Sequence, residues 1–316
     1  MTTASSFRPA KPARADRAFR AVTLVSGLTV LVVLVLIVVS TTREAMPAFR
    51  EEGLGFLTSD RWAPNVDAFG ALPFIYGTLT ISAIALLIAV PVSIGIALFL
   101  SEVAPRWLRR PVSYAVDLLA AVPSVVFGLW GLLVLAPALT GVYGSISRAT
   151  DGVPVVGTLF GPPVNGKSYF TAGIVLAMMI SPIITSLVRE VFDTVPRAQK
   201  EAALALGATR WEMIRQAVFP HSRAGMVGAV MLGLGRAMGE TIAAALVIGS
   251  SPQITARLFG AGDAMAAVIA NQFGEAGGTH RSALIGLGVV LFGVTVLVNV
   301  AAQTVVRRLS AVESGR

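Results

Sequence analysis

The amino-acid sequence of 316 residues contains no cysteine, which excludes disulfide bonds, cysteine-ligated metals and thiol nucleophiles. Histidine is scarce as well, because the chain has only His221 and His280. Two single histidines this far apart in sequence are more often without a functional role than metal ligands. Charged residues make up only 13% of the chain, whereas hydrophobic residues make up 55%. This balance lies far outside that of soluble domains and indicates a protein solvated by lipid, with no metal or other cofactor expected.

The chain is basic, with a formal net charge of +8. Such a balance could point to nucleic acid as a partner. However, polytopic membrane proteins collect lysine and arginine on their cytoplasmic loops for topological reasons alone. We therefore expect membrane lipid around this chain and no nucleic acid.

Six apolar runs are long enough to cross a hydrocarbon layer of ~30 Å, which takes about 20 residues of helix. They lie at roughly 21–40, 73–100, 112–136, 169–189, 224–249 and 282–306. The first run follows a basic tail, but its apolar core is too long for a signal peptide and no small-residue cleavage site follows it. The sequence thus predicts an all-α polytopic membrane protein with six transmembrane helices, the first of which stays attached.

The distribution of lysine and arginine predicts the orientation of these helices. One set of loops and both tails hold 17 of these residues, whereas the opposite loops hold 7. By the positive-inside rule, both termini are expected in the cytoplasm. The resulting plan has a basic tail at 1–20, an anchor helix with an outer connection at 21–72, a compact five-helix unit at 73–308 and a second tail at 309–316.

Three prolines fall inside the predicted spans, namely Pro91, Pro123 and Pro182. A proline removes a backbone donor and kinks a helix, which membrane helices tolerate when neighbours or water satisfy the freed carbonyls. Either the kinks serve as hinges of a moving pathway or they reflect the ordinary proline content of membrane helices.

The segment 198–220 carries too much charge to lie in lipid, although apolar spans flank it. A first short helix is expected at 198–206, ended by Gly207, whose freedom at positive φ suits a helix stop. Thr209 then begins a second helix, in which the glutamate three residues on completes a capping box. We expect Pro220 to end this helix, so that two short helices form an elbow.

An apolar stripe runs along the second helix of this elbow at helical spacing: Trp211, Ile214 and Val218. Arginines and Glu212 flank the stripe. It must be covered by a groove in another protein or by the transmembrane helices of the same chain.

The elbow resembles the EAA loop of bacterial ABC importer permeases. The matching positions, together with the tryptophan of the apolar stripe, are Glu201, Ala202, Ala203, Gly207, Trp211 and Pro220. The chain departs from the family at Ala217 and Phe219, where the family has isoleucine and leucine. The resemblance implies a cytoplasmic loop that fits a cleft of an ATP-hydrolysing subunit. The alternative is an amphipathic helix lying on the lipid surface.

The fifth predicted span contains two ionisable residues, Arg236 and Glu240, four residues apart and so on one helical face. An ionised group at mid-bilayer costs ~2.5 to 3.5 kcal/mol on insertion scales, so this pair must face a partner helix or a wet cavity. The guanidinium of Arg236 can grip an oxyanion through two parallel hydrogen bonds while Glu240 holds it in place. A purely structural ion pair is the alternative. Gly235 and Gly239 would let another helix pack closely.

The segment 161–168, GPPVNGKS, fits the pattern of a nucleotide-binding phosphate loop letter by letter. Such a loop works through backbone N–H groups, and Pro162 and Pro163 remove two of them. The segment also falls on the predicted outer side, where ATP is not supplied. We therefore reject an ATPase function for this chain.

Three further stretches narrow the resemblance: 56–79, 117–131 and 233–243. Together with the elbow they are similar to PstC-type permease subunits of bacterial phosphate importers over nearly the whole chain after the tail. The resemblance implies the ABC type I importer permease fold, in the bacterial inner membrane. It also implies a second permease of similar fold, two copies of a cytoplasmic ATPase and an external phosphate-binding protein. The transport-critical arginine and glutamate of that family carry over to Arg236 and Glu240.

The expected function is therefore that of a phosphate permease subunit that catalyses no reaction itself. Two alternatives stay open. An arginine fork does not by itself choose among phosphate, phosphonate, sulfate and molybdate, so another oxyanion could be the substrate. The chain could also be a signalling scaffold that reports phosphate status without moving it.

Overall fold

The computed structural model describes residues 14–314, and side-chain surroundings for residues 16–304. Residues 1–13 of the predicted basic tail and the last two residues of the chain lie outside the described residues. Most of the described part is helical. Its regular strands form one short antiparallel pair, β1 (Trp62–Ala63) and β2 (Ala68–Phe69), joined by a 3-10 turn at Pro64–Val66.

The helices fall into two groups by length. The long ones are α1 (Arg14–Glu52), α3 (Leu72–Leu98), α8 (Tyr169–Asp193), α11 (Phe219–Met238) and α14 (Gly278–Ser314). The shorter ones are α2 (Gly55–Thr58), α4 (Arg106–Ala120), α5 (Ser124–Trp130), α6 (Ala136–Thr150), α7 (Val156–Leu159), α9 (Arg197–Ala205), α10 (Arg210–Met213), α12 (Ile242–Val247) and α13 (Met265–Gln272). Wider π-helical turns continue or join helices at Phe99–Val103, Gly131–Leu135 and Ile214–Val218.

Five described helical segments are long and apolar enough to cross a membrane. They are Asp16–Glu52, Leu72–Val103, Ser124–Thr150, Tyr169–Asp193 and Gly278–Thr304. The predicted span at 224–249 is a broken crossing, because α11 ends at Met238 and α12 begins at Ile242. The prediction of an all-α polytopic membrane protein is confirmed, and six crossings result when α11 and α12 are counted as one.

The third span lies further along the chain than predicted. Its apolar helix is Ser124–Thr150 and not 112–136, because the chain breaks between α4 and α5. Pro123 lies in this break with an extended ψ of 138°, so the prediction of a kink inside a helix at this proline was wrong. The apolar run at 112–136 combines the end of α4 with α5. Helix α4 is a separate helix, and it exposes Trp107 and Tyr114. Pro91 and Pro182 do lie inside helices, α3 and α8.

The core forms where α3 and α8 pack along each other. Ile81, Ile84 and the helix α8 residues Leu176 and Ile180 are buried there. The contact is close because Gly173 on α8 leaves room for the Ile84 side chain, and a Cβ at this position would overlap it. This tight interlocking is the packing that membrane helices need, since lipid provides no hydrophobic force between them.

The loop at 249–264, between α12 and α13, packs against the first turns of α3. Gly77 on α3 lies directly against the backbone carbonyl of Asp263, where any Cβ would collide. Tyr76 donates a hydrogen bond to the Thr255 carbonyl at 2.8 Å, and Tyr169 donates one to the Gln253 carbonyl at 2.9 Å. The loop is therefore fixed to the end of α3 opposite the elbow.

Candidate functional site

The elbow of α9 and α10 has the geometry that its sequence predicts. Helix α9 ends at Ala205, within one residue of the expected 206. Gly207 follows with φ at +87°, a left-handed conformation that favours glycine. The amide of Ala208 donates to the Ala203 carbonyl at 3.2 Å, which satisfies the helix end.

Thr209 starts the second helix with the predicted capping box. The Glu212 amide donates to the Thr209 hydroxyl at 3.3 Å, and the Thr209 amide donates to a Glu212 carboxylate oxygen at 2.7 Å. This backbone hydrogen bond, followed by the one from the Thr209 hydroxyl, lowers the pKa of Glu212 below its usual value. The reciprocal bonds fix the angle at which α10 leaves the elbow.

Pro220 does not end this helix, contrary to the prediction. The π turn Ile214–Val218 joins α10 to α11 without a break, and Pro220 falls in the first turn of α11. In the π turn, the Phe219 amide donates to the Ile214 carbonyl five residues back. This wider spacing shifts the hydrogen-bond pattern just before the proline, whose missing N–H would otherwise interrupt it.

The apolar stripe of the second helix divides into a covered and an uncovered part. Ile214 and Val218 are buried against the transmembrane helices of the same chain. Trp211 is 60% exposed, and Leu206 at the tip of the elbow is 90% exposed. Glu201 and the following alanine are also exposed. The elbow therefore presents an acidic residue and large apolar side chains outward, as a surface for a partner protein would.

An ion pair that sequence reasoning missed lies beneath the elbow. The Lys200 ammonium contacts the Glu102 carboxylate at 2.6 Å, and Glu102 belongs to the π turn at the end of α3. A cavity of about 270 Å³ adjoins the pair, with Arg197, Glu201 and Arg210 among its lining residues. No spacing signal could have found the pair, because its members lie 98 positions apart.

Arg236 and Glu240 occupy different environments. Arg236 lies in the last turn of α11 with its side chain exposed, whereas Glu240 lies beyond the helix end and is 8% exposed. The Glu240 carboxylate accepts a hydrogen bond from the Ala243 amide at 3.1 Å, in the first turn of α12. The prediction that both residues share one helical face was wrong, because the helix ends at Met238. Within the described chain no ion pair joins them.

The exposed Arg236 side chain needs a polar surrounding, since an isolated arginine in lipid is costly. The surrounding available to it is a water-filled pathway or a neighbouring protein subunit. Helix α12, the second half of the broken crossing, packs closely on α5. Gly128 on α5 lies so near Ala243 on α12 that a Cβ added at Gly128 would be 2.9 Å from the Ala243 Cα. Arg236 therefore sits at an open junction beside a fixed short helix.

Gly235 and Gly239 also face open space. A Cβ placed at Gly235 would have no described atom within 4 Å, apart from atoms of its own helix turn. A Cβ placed at Gly239 would meet only the Gly235 carbonyl, at 3.4 Å. The described helices of this chain therefore do not pack on the two glycines. Close packing there stays a prediction that needs a helix from another subunit.

Asp117 lies on α4, outside the third span, and links that helix to α8. Its carboxylate accepts a hydrogen bond from the Ser186 hydroxyl at 2.5 Å, and Arg189 approaches it at 3.8 Å. The segment 161–168 is a structural loop that leads into α8. Gly166 has φ at +55°, and the Ser168 hydroxyl caps α8 by accepting from the Thr171 amide at 3.1 Å.

Comparison with known proteins identifies the family to which this architecture belongs. A family model described as "Binding-protein-dependent transport system inner membrane component" matches residues 89–311. Among solved structures, a bacterial ABC transporter involved in the import of the acidic polysaccharide alginate is similar with a TM-score of 0.62 at 20% identity, over 93% of this chain and 96% of that chain. The MetNI methionine ABC transporter in an inward-facing conformation gives a TM-score of 0.54 at 20% identity, over 74% of this chain and 94% of that chain. The fold is that of an ABC importer permease.

Sequence relatives define the family more closely. The phosphate transport system permease protein PstC of Xylella fastidiosa is 49% identical, over 84% of this chain and 82% of the relative. The PstC proteins of Mesorhizobium japonicum and Haemophilus influenzae are 48% and 45% identical, over 82% and 81% of this chain and 80% and 82% of the relatives. The chain belongs to the binding-protein-dependent transport permeases and, within them, to the family of these phosphate transport system permeases. The resemblance seen in the sequence is confirmed.

Proposed function

We propose that this chain is the permease subunit through which inorganic phosphate crosses the bacterial inner membrane in an ATP-driven importer. The observation that carries this function is the 49% identity with a phosphate transport system permease over 84% of the chain. The permease unit is assigned to 73–308, which is supported by the family match at 89–311. Membership of the ABC importer permease family implies association with an ATPase and with another permease, and the permease is not itself an enzyme.

The partners are a dimeric ATPase at the elbow, a second permease of similar fold across the pathway and a phosphate-binding protein on the outer side. The exposed side chains of Leu206 and Trp211 support the first of these contacts. The open surface at Gly235, next to Arg236, supports the second. In this function the elbow and both termini lie on the inner side, which the charge asymmetry of the loops supports, and the ATPase meets the elbow in the cytoplasm.

In this function Arg236 is the phosphate-binding cation of the pathway. Its guanidinium presents paired donors to an oxyanion. Glu240 acts differently from the sequence-based hypothesis, because its carboxylate is engaged with the first turn of α12. It holds the short helix beside Arg236 in position and adds a negative charge at the junction. This charge weakens retention of the anion, so that phosphate can leave.

Transport by the reconstituted importer tests the function. The complete complex, co-expressed with its ATPase, second permease and binding protein, is placed in liposomes with ATP on the ATPase side and radiolabelled phosphate on the other. ATP-dependent accumulation is expected. Unlabelled sulfate, phosphonate and molybdate are then added as competitors, and stronger competition than by unlabelled phosphate would assign another oxyanion. Phosphate binding without accumulation would instead favour the signalling scaffold.

Replacing Arg236 with Gln should lower phosphate uptake about a hundredfold while the complex still assembles, since the paired charge-assisted hydrogen bonds to the anion are lost. Arg236→Lys keeps the positive charge but loses the paired donors of the guanidinium, so an intermediate rate of phosphate uptake is expected. Arg148→Gln removes an exposed arginine of α6 and serves as the control, with uptake unchanged. Normal uptake by the Arg236→Gln complex would remove this residue from the pathway.

A further inference from the structure

Helix α9 touches the rest of the described chain through very few residues. Of its nine residues, Lys200 and Ala203 are partly buried and the others are exposed. Ala203 packs on the edge of the main core, but its side chain is a single methyl group. The contact that holds α9 to the membrane helices is therefore made chiefly by Lys200.

Lys200 reaches the ends of two membrane helices at once. Its ammonium lies 2.6 Å from the Glu102 carboxylate in the π turn that ends α3, and it lies 3.5 Å from the backbone carbonyl of Phe192 near the end of α8. The Glu102 side chain is 9% exposed and the Lys200 side chain 19% exposed, so water screens the pair weakly. This makes it a short, directional link between the elbow and the core.

Stability alone does not account for such a pair. Removing two charges from water costs about as much as their attraction returns, and well-packed apolar residues would hold the helices equally well. The space beside the pair is, moreover, not packed, because the cavity of about 270 Å³ separates parts of α9 and α10 from the end of α3. Movement of α9 toward the core is therefore not passed on by packed side chains at the cavity but by the ion pair.

We propose that the Glu102–Lys200 ion pair transmits the movement of α9 to α3 and α8, and that both residues are positioning residues for transport. The proposal rests on the coupling role of the elbow in the proposed function. Helix α3 is suited to receive this movement, since it packs along α8 and its far end bears on the loop at 249–264 through Gly77. A shift at Glu102 is thereby conveyed to the opposite end of the molecule.

The test measures the number of phosphate ions accumulated per ATP hydrolysed by the complete importer in liposomes, together with the amount of ATPase that co-purifies. Lys200→Met and Glu102→Gln each break the pair. Each should lower the transport ratio about tenfold, the size of a typical coupling between sites, while ATP hydrolysis and ATPase co-purification persist. The double variant Glu102→Lys with Lys200→Glu restores opposite charges and should recover most of the ratio.

Arg197→Met is the matched control, because Arg197 lies on the same helix and lines the same cavity without bonding Glu102. Its ratio should stay within about twofold of the unchanged importer. An unchanged ratio in Lys200→Met would overturn the proposal, as would a charge-swapped variant no better than the single variants. Parallel loss of ATPase and uptake would also overturn it, because it would mean a docking role alone. Failure of the unchanged importer to accumulate phosphate would instead reject the proposed function.

Discussion

The elbow and the transmembrane core of this permease are held together in opposite ways. In the core, two thirds of the most apolar stretch of α8 is buried. Glycines such as Gly77 and Gly173 lie directly against atoms of neighbouring segments. In the elbow, α9 has no buried residue, and no described atom lies within 4 Å of a Cβ placed at Gly207. The core is thus fixed by close packing, whereas the elbow is shaped by its backbone, a capping box and one ion pair.

This difference separates two tasks. A close-packed core cannot deform locally, so its helices move as units and carry a displacement over their whole length. An exposed elbow keeps its side chains available for a partner, and its shape depends on local conformational preferences. Substitutions in the two regions should therefore fail differently, the first through folding and the second through assembly.

The largest effect is expected in the core, from Gly77→Ala. A Cβ at this position collides with the backbone carbonyl of Asp263, which cannot rotate away as a side chain would. The loss of stability should exceed about 4 kcal/mol and be seen as a strongly lowered Tm in detergent. Gly95→Ala on the same helix is the control, because no described atom lies within 4 Å of its Cβ. Equal stability of the two variants would mean that the loop at 249–264 is not fixed to α3.

A smaller effect, dependent on pH, is expected at Asp263, which is 4% exposed. Burial raises the pKa of this carboxyl from 3.8 to about 6. The folded protein therefore binds this proton more tightly than the unfolded chain, so the contribution of Asp263 to stability is fully present below about pH 4 and is lost as the pH rises through about 6. Asp263→Asn avoids this loss and can still accept the hydrogen bond of the Ala264 amide.

At pH 7.5 the Asp263→Asn variant should be more stable by about 3 kcal/mol, and at pH 4.5 this difference should fall to about 1 kcal/mol. Thermal unfolding at the two pH values measures it. Asp60→Asn, which makes the same change at an exposed position, is the matched control and is measured at the same two pH values. A constant difference across pH would contradict the burial of the Asp263 carboxyl within the loop.

The smallest effect is expected in the elbow, where a substitution should affect assembly and leave the core intact. Gly207→Val forces a β-branched residue to φ at +87°, which costs about 1 to 2 kcal/mol and weakens ATPase binding about tenfold. Gly207→Asn, which tolerates this conformation, should bind nearly normally. Co-purification of the ATPase and the Tm of the permease are measured together. A lowered Tm with normal ATPase binding would contradict this comparison, because the elbow would then contribute to folding and not to assembly.

The elbow was predictable because its chemistry is local. A glycine that stops a helix and a Thr-to-Glu capping box act within a few residues, so Gly207, Thr209 and Glu212 could be placed from sequence alone. The apolar spans were found for the same reason. The end of the second helix was missed, because a π turn that accommodates Pro220 leaves no sequence signal of its own.

The remaining errors concern choices that tertiary contacts make. Hydropathy joined the last turns of α4 to α5, whereas contacts of Asp117 with α8 hold α4 apart from the third span. Arg236 and Glu240 fit one helical face by spacing, but α11 ends at Met238 between them, and α12, which packs on α5, begins only at Ile242. The pair of Glu102 and Lys200 depends entirely on how distant segments meet.

Because the π turn replaces the expected stop, the chain from Arg210 to Met238 is one uninterrupted helical rod. Trp211 at the elbow end of this rod and Arg236 near its other end are about 38 Å apart along the axis. A tilt of the rod by about 5° around one end would displace the other by about 3 Å, roughly the length of a hydrogen bond. Under the proposed function, angular changes too small to disturb a surface docked at the elbow are thus large enough to make or break the contacts of the Arg236 guanidinium with an anion.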